Sequence, residues 1–232
     1  CKKYKSKKRE RLINKKTGLL IDPYFSATKI KWILENVSGA KEKAANGELC
    51  FGTVDTYLMY KLSEGKIFKT DITNASRTSL FNIYKKAWDD HLLKLFNVPK
   101  TLLPEVKNCT GSYGYTSPKL FGSSIPITGI AGDQQAASIG QACFKQGMVK
   151  STYGTGCFVL LNTGVNAVTS TNKMLTTIAY AIDDEVNYAL EGSIFIAGAA
   201  VQWLRDGLQI LTDASQSSDL AALSDPNQDV YL

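Results

Sequence analysis

A run of apolar residues near the middle of the chain ends in an aspartate beside a glycine. Residues 125–132 are Ile-Pro-Ile-Thr-Gly-Ile-Ala-Gly, and Asp133 follows directly. This pattern predicts a buried strand that leads through a glycine-lined turn into a helix beginning at Gln134. Strands that deliver polar residues into turns ahead of helices are typical of α/β proteins, so we expect an α/β fold.

The periodicity of the sequence changes on the two sides of this element. Residues 17–105 carry apolar residues mostly at helical spacing and predict mainly helices. One predicted helix has Ser26 as its N-cap and an apolar stripe of Ile30, Ile33 and Leu34. Another runs from about Val54 to Leu62, with Val54, Tyr57 and Leu58 on one apolar face.

From Met148 onward the pattern is typical of strands bounded by glycine or polar turns. The predicted strands span residues 148–153, 157–162, 176–182 and 187–191. We therefore predict one domain over residues 1–141 and a second over residues 148–232.

Composition excludes several classes of protein. A chain of 232 residues with 44% hydrophobic and 21% charged residues can bury real cores, which excludes a disordered protein and a disulfide miniprotein. No apolar run approaches the roughly 18 residues of a membrane span, and no apolar segment of a secretory signal follows the basic N-terminus. Five scattered cysteines and a single histidine predict free thiols rather than a zinc site. We expect a cytoplasmic protein without a membrane span.

The net charge of +6 is concentrated at one end of the chain. Nine of the 27 basic residues lie within residues 1–16. We predict a basic helix there with a solvated face. A nucleic-acid-binding arm is the alternative, and it would show salt-sensitive binding. Because no recognised nucleic-acid motif follows the arm, we expect no nucleic-acid partner.

Asp133 is the strongest candidate for chemistry. A carboxylate at the carboxyl end of a strand lies where open α/β sheets place their ligands. It could orient an attacking hydroxyl group and take its proton. An N-cap for the helix that begins at Gln134 is an equally good interpretation.

Two further segments could bind a ligand. Thr155 lies in a Gly-Thr-Gly turn between predicted strands, where successive backbone N–H groups could cradle a phosphate, although such a turn is more often an ordinary hairpin. Gly198 and Gln202 lie four residues apart in a predicted helix and share one face. A glycine there would admit a flat ligand, but such a glycine more often serves helix packing.

Seven segments of the chain, in order, carry a resemblance to a known family. They are residues 22–34, 51–57, 70–78, 129–136 (Gly-Ile-Ala-Gly-Asp-Gln-Gln-Ala), 152–158 (Thr-Tyr-Gly-Thr-Gly-Cys-Phe), 187–192 and 202–206. Together they resemble the FGGY carbohydrate kinases, and the likeness covers residues 17–206. The resemblance implies an actin-like, ribonuclease-H-like pair of α/β domains that close around a cleft where ATP and glycerol meet.

The resemblance also implies an activity and a set of site residues. The activity is ATP-dependent phosphorylation of glycerol to sn-glycerol 3-phosphate, with Mg²⁺ bridging the phosphates, ADP as the second product and a homo-oligomer as the assembled state. The implied general base is Asp133. The implied glycerol-binding residues are Tyr24, Asp133 and Gln134, and the implied nucleotide-binding residues are Thr155, Gly198 and Gln202.

Some parts of the family pattern are not found within residues 1–232. These are a phosphate-binding hairpin, an Arg-Glu pair that holds glycerol, and a glycine-rich adenine-binding segment. The chain also begins at Cys1 and ends at residues 230–232 in what looks like an interrupted strand. We therefore expect a central fragment, with the C-terminal part of the first kinase domain and the N-terminal part of the second. A non-catalytic remnant and a kinase for a related polyol or sugar remain alternatives.

Overall fold

The computed structural model describes residues 1–225 and 227, so the strand expected at residues 230–232 lies outside the described residues. The α-helices are α1 (Lys7–Thr17), α2 (Ser26–Asn36), α3 (Ala40–Ala45), α4 (Val54–Leu62), α5 (Ile72–Ser76), α6 (Asp90–Phe96), α7 (Pro118–Phe121), α8 (Asp133–Gly140), α9 (Gly198–Asp206) and α10 (Gln216–Leu223). The strands are β1 (Lys69–Asp71), β2 (Phe81–Asn82), β3 (Ala87–Trp88), β4 (Glu105–Lys107), β5 (Thr110–Tyr115), β6 (Pro126–Gly129), β7 (Val149–Tyr153), β8 (Cys157–Gly164), β9 (Leu175–Ile182) and β10 (Glu185–Ile194). Within this described part, no helix combines the length and the apolar character needed to cross a membrane.

Strands β7 to β10 form one antiparallel sheet in the order β7-β8-β10-β9. The hairpin of β7 and β8 pairs Tyr153 with Cys157, and β10 continues the sheet by pairing Gly192 with Val159. The four strands predicted after Met148 are therefore confirmed. The largest difference from the predicted bounds is in β10, which spans Glu185–Ile194 instead of residues 187–191. It begins earlier because a tight turn leads directly into it from β9.

The basic N-terminal segment is helical in two pieces rather than one. A 3₁₀ turn covers Lys2–Tyr4, and α1 begins only at Lys7. Ser6 interrupts the predicted helix because it takes an extended conformation as the N-cap of α1.

A hydrophobic core lies between α1, α2, α3 and α6. In α2, Ile30 and Leu34 are buried, while Ile33 is 47% exposed although the predicted apolar stripe included it. Ser26, predicted as the N-cap of this helix, is instead its first residue, since the preceding Phe25 holds the extended cap conformation.

Helix α4 has the predicted bounds but buries a different face. Val54 and Leu58, predicted to face the core, are 75% and 52% exposed. Thr56 and Met59 are buried instead, and Met59 packs with Tyr113 of β5. The reason is that β5 covers one side of the helix, while Val54 and Leu58 border an open cleft.

Strand β6 is where the prediction of a buried strand is wrong. It is shorter than expected, covers Pro126–Gly129 and is mostly exposed. In the described part of the chain it pairs with β5 alone, in a two-stranded antiparallel sheet, and this leaves its faces largely uncovered. The turn after β6 leads into α8, which begins at Asp133, one residue earlier than expected.

The antiparallel sheet packs against the helical part of the chain. One hydrophobic cluster joins Ile72 and Phe81 of the helical part with Ile178 and Tyr188 of the sheet. An ion pair reinforces this contact: Arg77, the C-cap of α5, donates from Nη2 to Oε1 of Glu191 in β10 at 2.8 Å, and its Nη1 lies 2.8 Å from Oε2. The Glu191 side chain is 3% exposed, so the two parts of the chain share a buried, bidentate charge pair.

Asp89 organises the contact between α1 and α6. As the N-cap of α6 it accepts hydrogen bonds from the backbone of His91 and Leu92, and it also accepts from Lys16 of α1 at 2.7 Å and from Asn82 at 2.9 Å. Burial alone would raise the pKa of Asp89, but the hydrogen bonds from Asn82 and Lys16 outweigh it and lower the pKa to about 2.

The variant Asp89→Asn is expected to lower the free energy of unfolding at pH 7 by about 2 kcal/mol, the equivalent of the pKa shift. Because the pKa falls from 3.8 to about 2 on folding, this contribution is complete above about pH 4 and is lost as the pH falls through about 2. Urea denaturation across this pH range measures it. Asp90→Asn is the matched control, since the Asp90 side chain is 81% exposed, and it should cost under about 0.5 kcal/mol.

The variant Glu191→Ala is expected to lower the free energy of unfolding by about 3 kcal/mol, because it leaves the Arg77 charge, whose side chain is only 19% exposed, without its partner. The double variant Arg77→Met with Glu191→Met should cost clearly less than the sum of the two single Met changes. Urea denaturation of all four variants gives the coupling energy. Additive losses would show that the ion pair does not couple the two parts.

Candidate active site

A cleft of about 630 Å³ opens where α8 begins. Tyr24, Asp133 and Gln134, the residues predicted to bind the polyol, all line it. They come from separate parts of the sequence, the loop before α2 and the first turn of α8. The fold therefore brings the predicted substrate residues into one cavity.

Asp133 is not the N-cap of α8, so the alternative interpretation of Asp133 as a capping residue is wrong. Gly132 is the N-cap, and Asp133 is the first helical residue. Its Oδ1 accepts from the backbone N–H of Gln134 at 2.8 Å, and its Oδ2 lies 3.5 Å from the Gln134 Nε2. The Asp133 side chain is exposed to the cleft. Since a carboxylate offers about four acceptor positions, this group retains capacity for a substrate hydroxyl.

A buried hydrogen-bond chain holds the turn in front of Asp133. The Asp71 carboxylate accepts from the hydroxyl of Thr73, whose oxygen in turn accepts from the backbone N–H of Gly132 at 2.9 Å. Burial raises the pKa of Asp71, although hydrogen bonds from Thr73 and Asn74 act in the opposite direction. The turn is thus tied to the first turn of α5 through side chains that are themselves fully buried.

Tyr24 forms part of the cleft wall with its ring half-exposed. The Arg77 guanidinium lies 6.0 Å from the centre of this ring and 5.2 Å from the centre of the Phe25 ring. Phe195, beyond the end of β10, approaches Tyr24 with a ring separation of 6.4 Å. Tyr24 is therefore held between the cationic C-cap of α5 and an aromatic ring from the second part of the chain.

A second cavity of about 520 Å³ adjoins the first. Tyr24, Arg77 and Glu191 line both cavities, so they form the wall between them. Phe158 and Phe195 contribute apolar surface on the far side. The Arg77–Glu191 ion pair thus supports the wall of the cleft as well as the contact between the two parts.

Thr155 and Gly198 lie close together, because the backbone of the β7–β8 turn is hydrogen-bonded to the start of α9. The turn between β7 and β8 accepts hydrogen bonds from the start of α9: Ala197 N–H donates to Thr155 O at 2.8 Å, and Gly198 N–H donates to Gly154 O at 2.9 Å. A Cβ atom on Gly198 would lie 2.7 Å from Gly154 O. Glycine is needed at this position because the hairpin backbone approaches the helix so closely.

One backbone N–H group of the hairpin is already used within the turn. The Gly154 N–H donates to Gly156 O within the turn, at 2.8 Å. Gly156 instead permits a close approach, since a Cβ there would lie 2.8 Å from Ile194 O. Thr155 itself is exposed, as is Gln202 one turn along α9 from Gly198. In the described residues, neither cavity is lined by Thr155, Gly198 or Gln202.

The sequence analysis assigned no role to three charged residues that lie at or beside the cleft. Arg77 and Glu191 lie inside the family-like segments but received no role, because their pairing joins positions 114 residues apart. Lys150 donates from its Nζ to Gln134 Oε1 at 2.6 Å and is buried. Strand alternation could have revealed it, since Lys150 occupies an inward position of β7. Residues 1–225 and 227 contain no group of three or more His, Cys, Asp or Glu that could hold a metal ion.

Family models match almost the whole chain. The model of the N-terminal domain of the FGGY family of carbohydrate kinases matches residues 1–140, and the model of its C-terminal domain matches residues 149–231.

Curated relatives and solved structures agree with these matches. The chain is 62% identical to a glycerol kinase of Rhizobium meliloti and 61% identical to one of Rhizobium rhizogenes, in both cases over all of this chain and 47% of the relative. It spans about half the length of these curated relatives. The crystal structure of Plasmodium falciparum glycerol kinase with ADP matches with a TM-score of 0.88 and 41% identity over 96% of this chain and 45% of that one.

A gluconate kinase from Lactobacillus acidophilus has the same fold, with a TM-score of 0.82 at 20% identity over 97% of this chain and 45% of that one. The two family models account for nearly every residue, and the cleft holds Tyr24, Asp133 and Gln134, the three predicted polyol-binding residues. The chain therefore belongs to the FGGY family of carbohydrate kinases.

Proposed function

We propose that this chain forms the central part of a glycerol kinase. Such an enzyme transfers the γ-phosphoryl group of ATP to a terminal hydroxyl of glycerol and yields sn-glycerol 3-phosphate and ADP. The observation that carries the proposal is the exposed Asp133 carboxylate, which shares a cleft with Tyr24 and Gln134. Identity of 60% or more over the whole chain to proteins named glycerol kinase supports glycerol as the substrate.

Asp133 is the proposed general base. Its carboxylate accepts the proton of the terminal hydroxyl, and the oxygen forms a bond to the γ-phosphorus while the bond from that phosphorus to the ADP oxygen breaks. The electron pair of the broken bond leaves with ADP. Proton transfer to a positioned carboxylate in this way requires a side chain with free acceptor capacity beside the nucleophile.

Other carboxylates of the cleft are less suited to this role. Asp55 accepts hydrogen bonds from the hydroxyl groups of Thr53 and Thr70, and Glu191 is bound by Arg77 on both oxygens. Asp55 is only partly exposed, and the Glu191 side chain is 3% exposed and paired with Arg77. Asp133 is exposed and its contacts come from the neighbouring Gln134, so it is the carboxylate of the three best placed to take a substrate proton.

The two remaining polyol residues would hold the substrate. Tyr24 presents an exposed aromatic ring, which suits the carbon face of a small polyol. Gln134 can hydrogen-bond a hydroxyl through its amide, next to the base. A small, highly polar substrate needs several such contacts, because it has little apolar surface to bury.

The proposed nucleotide side is the contact between the β7–β8 hairpin and α9. Thr155 offers an exposed hydroxyl to the phosphate chain. Gly198, half-buried beside the hairpin, and the exposed Gln202 one turn further along α9 would contact the nucleoside. The solved structure of the P. falciparum relative contains ADP, which supports a nucleotide partner. Mg²⁺ would arrive with the ATP phosphates and offset the charge that develops on them.

We also propose the predicted division of the chain, with residues 1–141 in the first kinase domain and residues 148–232 in the second. In support, the antiparallel sheet begins at Val149. Closure of the two domains would then bring the nucleotide residues toward Asp133, since these groups lie in separate parts of the site.

The variant Asp133→Asn is expected to lower glycerol-dependent ADP formation by about 10²- to 10⁴-fold, since the amide cannot accept the hydroxyl proton. ADP release by this chain with ATP, Mg²⁺ and glycerol measures the loss. Asp90→Asn is the control, because Asp90 is also an exposed aspartate at the first position of a helix. Unchanged turnover in Asp133→Asn would contradict the role of Asp133. Absence of glycerol-dependent turnover in the unaltered chain would contradict catalysis by this chain itself.

The same assay with other substrates tests the alternative substrate classes. Preference for a pentulose or gluconate over glycerol would identify a related sugar kinase.

The variant Gly198→Ala is expected to raise the KM for ATP by about 10-fold or more, because the new Cβ would displace α9 from the hairpin at Gly154 O. The KM for glycerol should change much less. Steady-state kinetics with each substrate varied in turn separate these effects, and Ala199→Gly serves as a neighbouring control in the same turn. An equal rise in both KM values would contradict a specific role at the nucleotide and would show that Gly198 supports the fold as a whole.

A further inference from the structure

Lys150 is a buried lysine that the proposed phosphoryl transfer does not yet use. It lies on an inward position of β7 and is 3% exposed. Lysine is almost never fully buried unless its charge is compensated. Its burial lowers the pKa of the Lys150 ammonium, while the charges of Asp133 and Glu191 act in the opposite direction. The ammonium therefore lies within electrostatic reach of two carboxylates of the cleft.

The one side-chain hydrogen bond that Lys150 makes in the described residues is short and specific. Its Nζ donates to Gln134 Oε1 at 2.6 Å. A glutamine side chain carries its acceptor oxygen and its NH₂ group on opposite sides of one rigid amide. A cation on the oxygen therefore determines where the NH₂ group points. In this structure the Gln134 Nε2 faces Asp133, 3.5 Å from Oδ2.

The contact also spans two parts of the chain. Lys150 belongs to the antiparallel sheet, whereas Gln134 and Asp133 belong to the first turn of α8. Between them lies the segment of residues 141–148, where we place the domain boundary. Lys150 therefore connects the sheet directly to the Gln134 side chain, beside the hydrogen bond by which Gln135 of the same turn donates to Ile178 O of β9.

We propose that Lys150 is a positioning residue: it holds the Gln134 amide with its oxygen toward the sheet and its NH₂ group toward Asp133 and the substrate hydroxyl. The role in turnover rests on the proposed glycerol phosphorylation, whereas the orientation of Gln134 does not. Lys150 touches neither substrate nor nucleotide in this scheme. Its effect on the reaction passes through Gln134.

The arrangement can be tested without destroying the fold. Lys150→Met keeps a similar length and volume and places an apolar side chain at a buried position, a change that cores tolerate well. Lys145→Met is the matched control, because Lys145 is an exposed lysine on the connecting segment. Far-ultraviolet circular dichroism of both variants checks that the chain is folded before any comparison.

The first measurement is hydrogen exchange of the Gln134 side-chain NH₂ group by NMR on the ¹⁵N-labelled chain, with the signal assigned by its loss in Gln134→Ala. We expect exchange to accelerate at least about 10-fold in Lys150→Met, because the amide is free to rotate, and to stay unchanged in Lys145→Met. Unchanged exchange in Lys150→Met would overturn the assignment.

The second measurement is a kinetic double-mutant cycle of Lys150→Met and Gln134→Ala. Lys150→Met should lower kcat for glycerol by about 10- to 100-fold with little change in the KM for ATP. In the Gln134→Ala background the same change should have an effect under about 3-fold, because the residue that transmits it is gone. Independent effects of the two changes would overturn the proposal. If the unaltered chain forms no ADP from ATP and glycerol, the proposed function fails, and the amide exchange alone decides the role of Lys150.

Discussion

The ion pair between Arg77 and Glu191 is the interaction on which the cleft depends. It ties the C-cap of α5 to the centre of the antiparallel sheet, and the carboxylate is almost fully buried. The guanidinium also lies against Tyr24, so the pair sets the position of the aromatic wall. An isolated buried charge is costly, so the two parts of the chain must pack in a way that keeps Arg77 and Glu191 in contact.

A series of polar and charged groups extends from this pair to the proposed base. Glu191 faces Arg77 on one side and contributes to the potential at Lys150 on the other. Lys150 in turn binds Gln134, which contacts Asp133. The charges of Arg77, Glu191 and Lys150 therefore alternate in sign along this series, which reaches Asp133 through the neutral Gln134 side chain. Such a network restrains side-chain orientation, and the proposed phosphoryl transfer would require that restraint.

Local sequence patterns predicted much of the secondary structure correctly. The strands after Met148, the bounds of α4 and the Gly-Thr-Gly hairpin follow from alternation, helical spacing and turn residues. The errors concern burial. The wrong face of α4 was assigned to the core and β6 was expected to be buried, because periodicity tells which residues share a face but not which face another element covers.

The candidate site was predictable in its parts but not in its assembly. The place of Asp133 after a strand and a glycine follows from short-range rules, as do the hairpin around Thr155 and the shared face of Gly198 and Gln202. These features depend on backbone hydrogen bonds and steric limits within a few residues. The contacts of Arg77 with Glu191, and of Lys150 with Gln134, depend on which buried charges meet after the chain has packed. The sequence by itself therefore determined the elements and the family, while the tertiary structure decided the charge network, because long-range pairing is set by the burial of whole surfaces and not by local conformation.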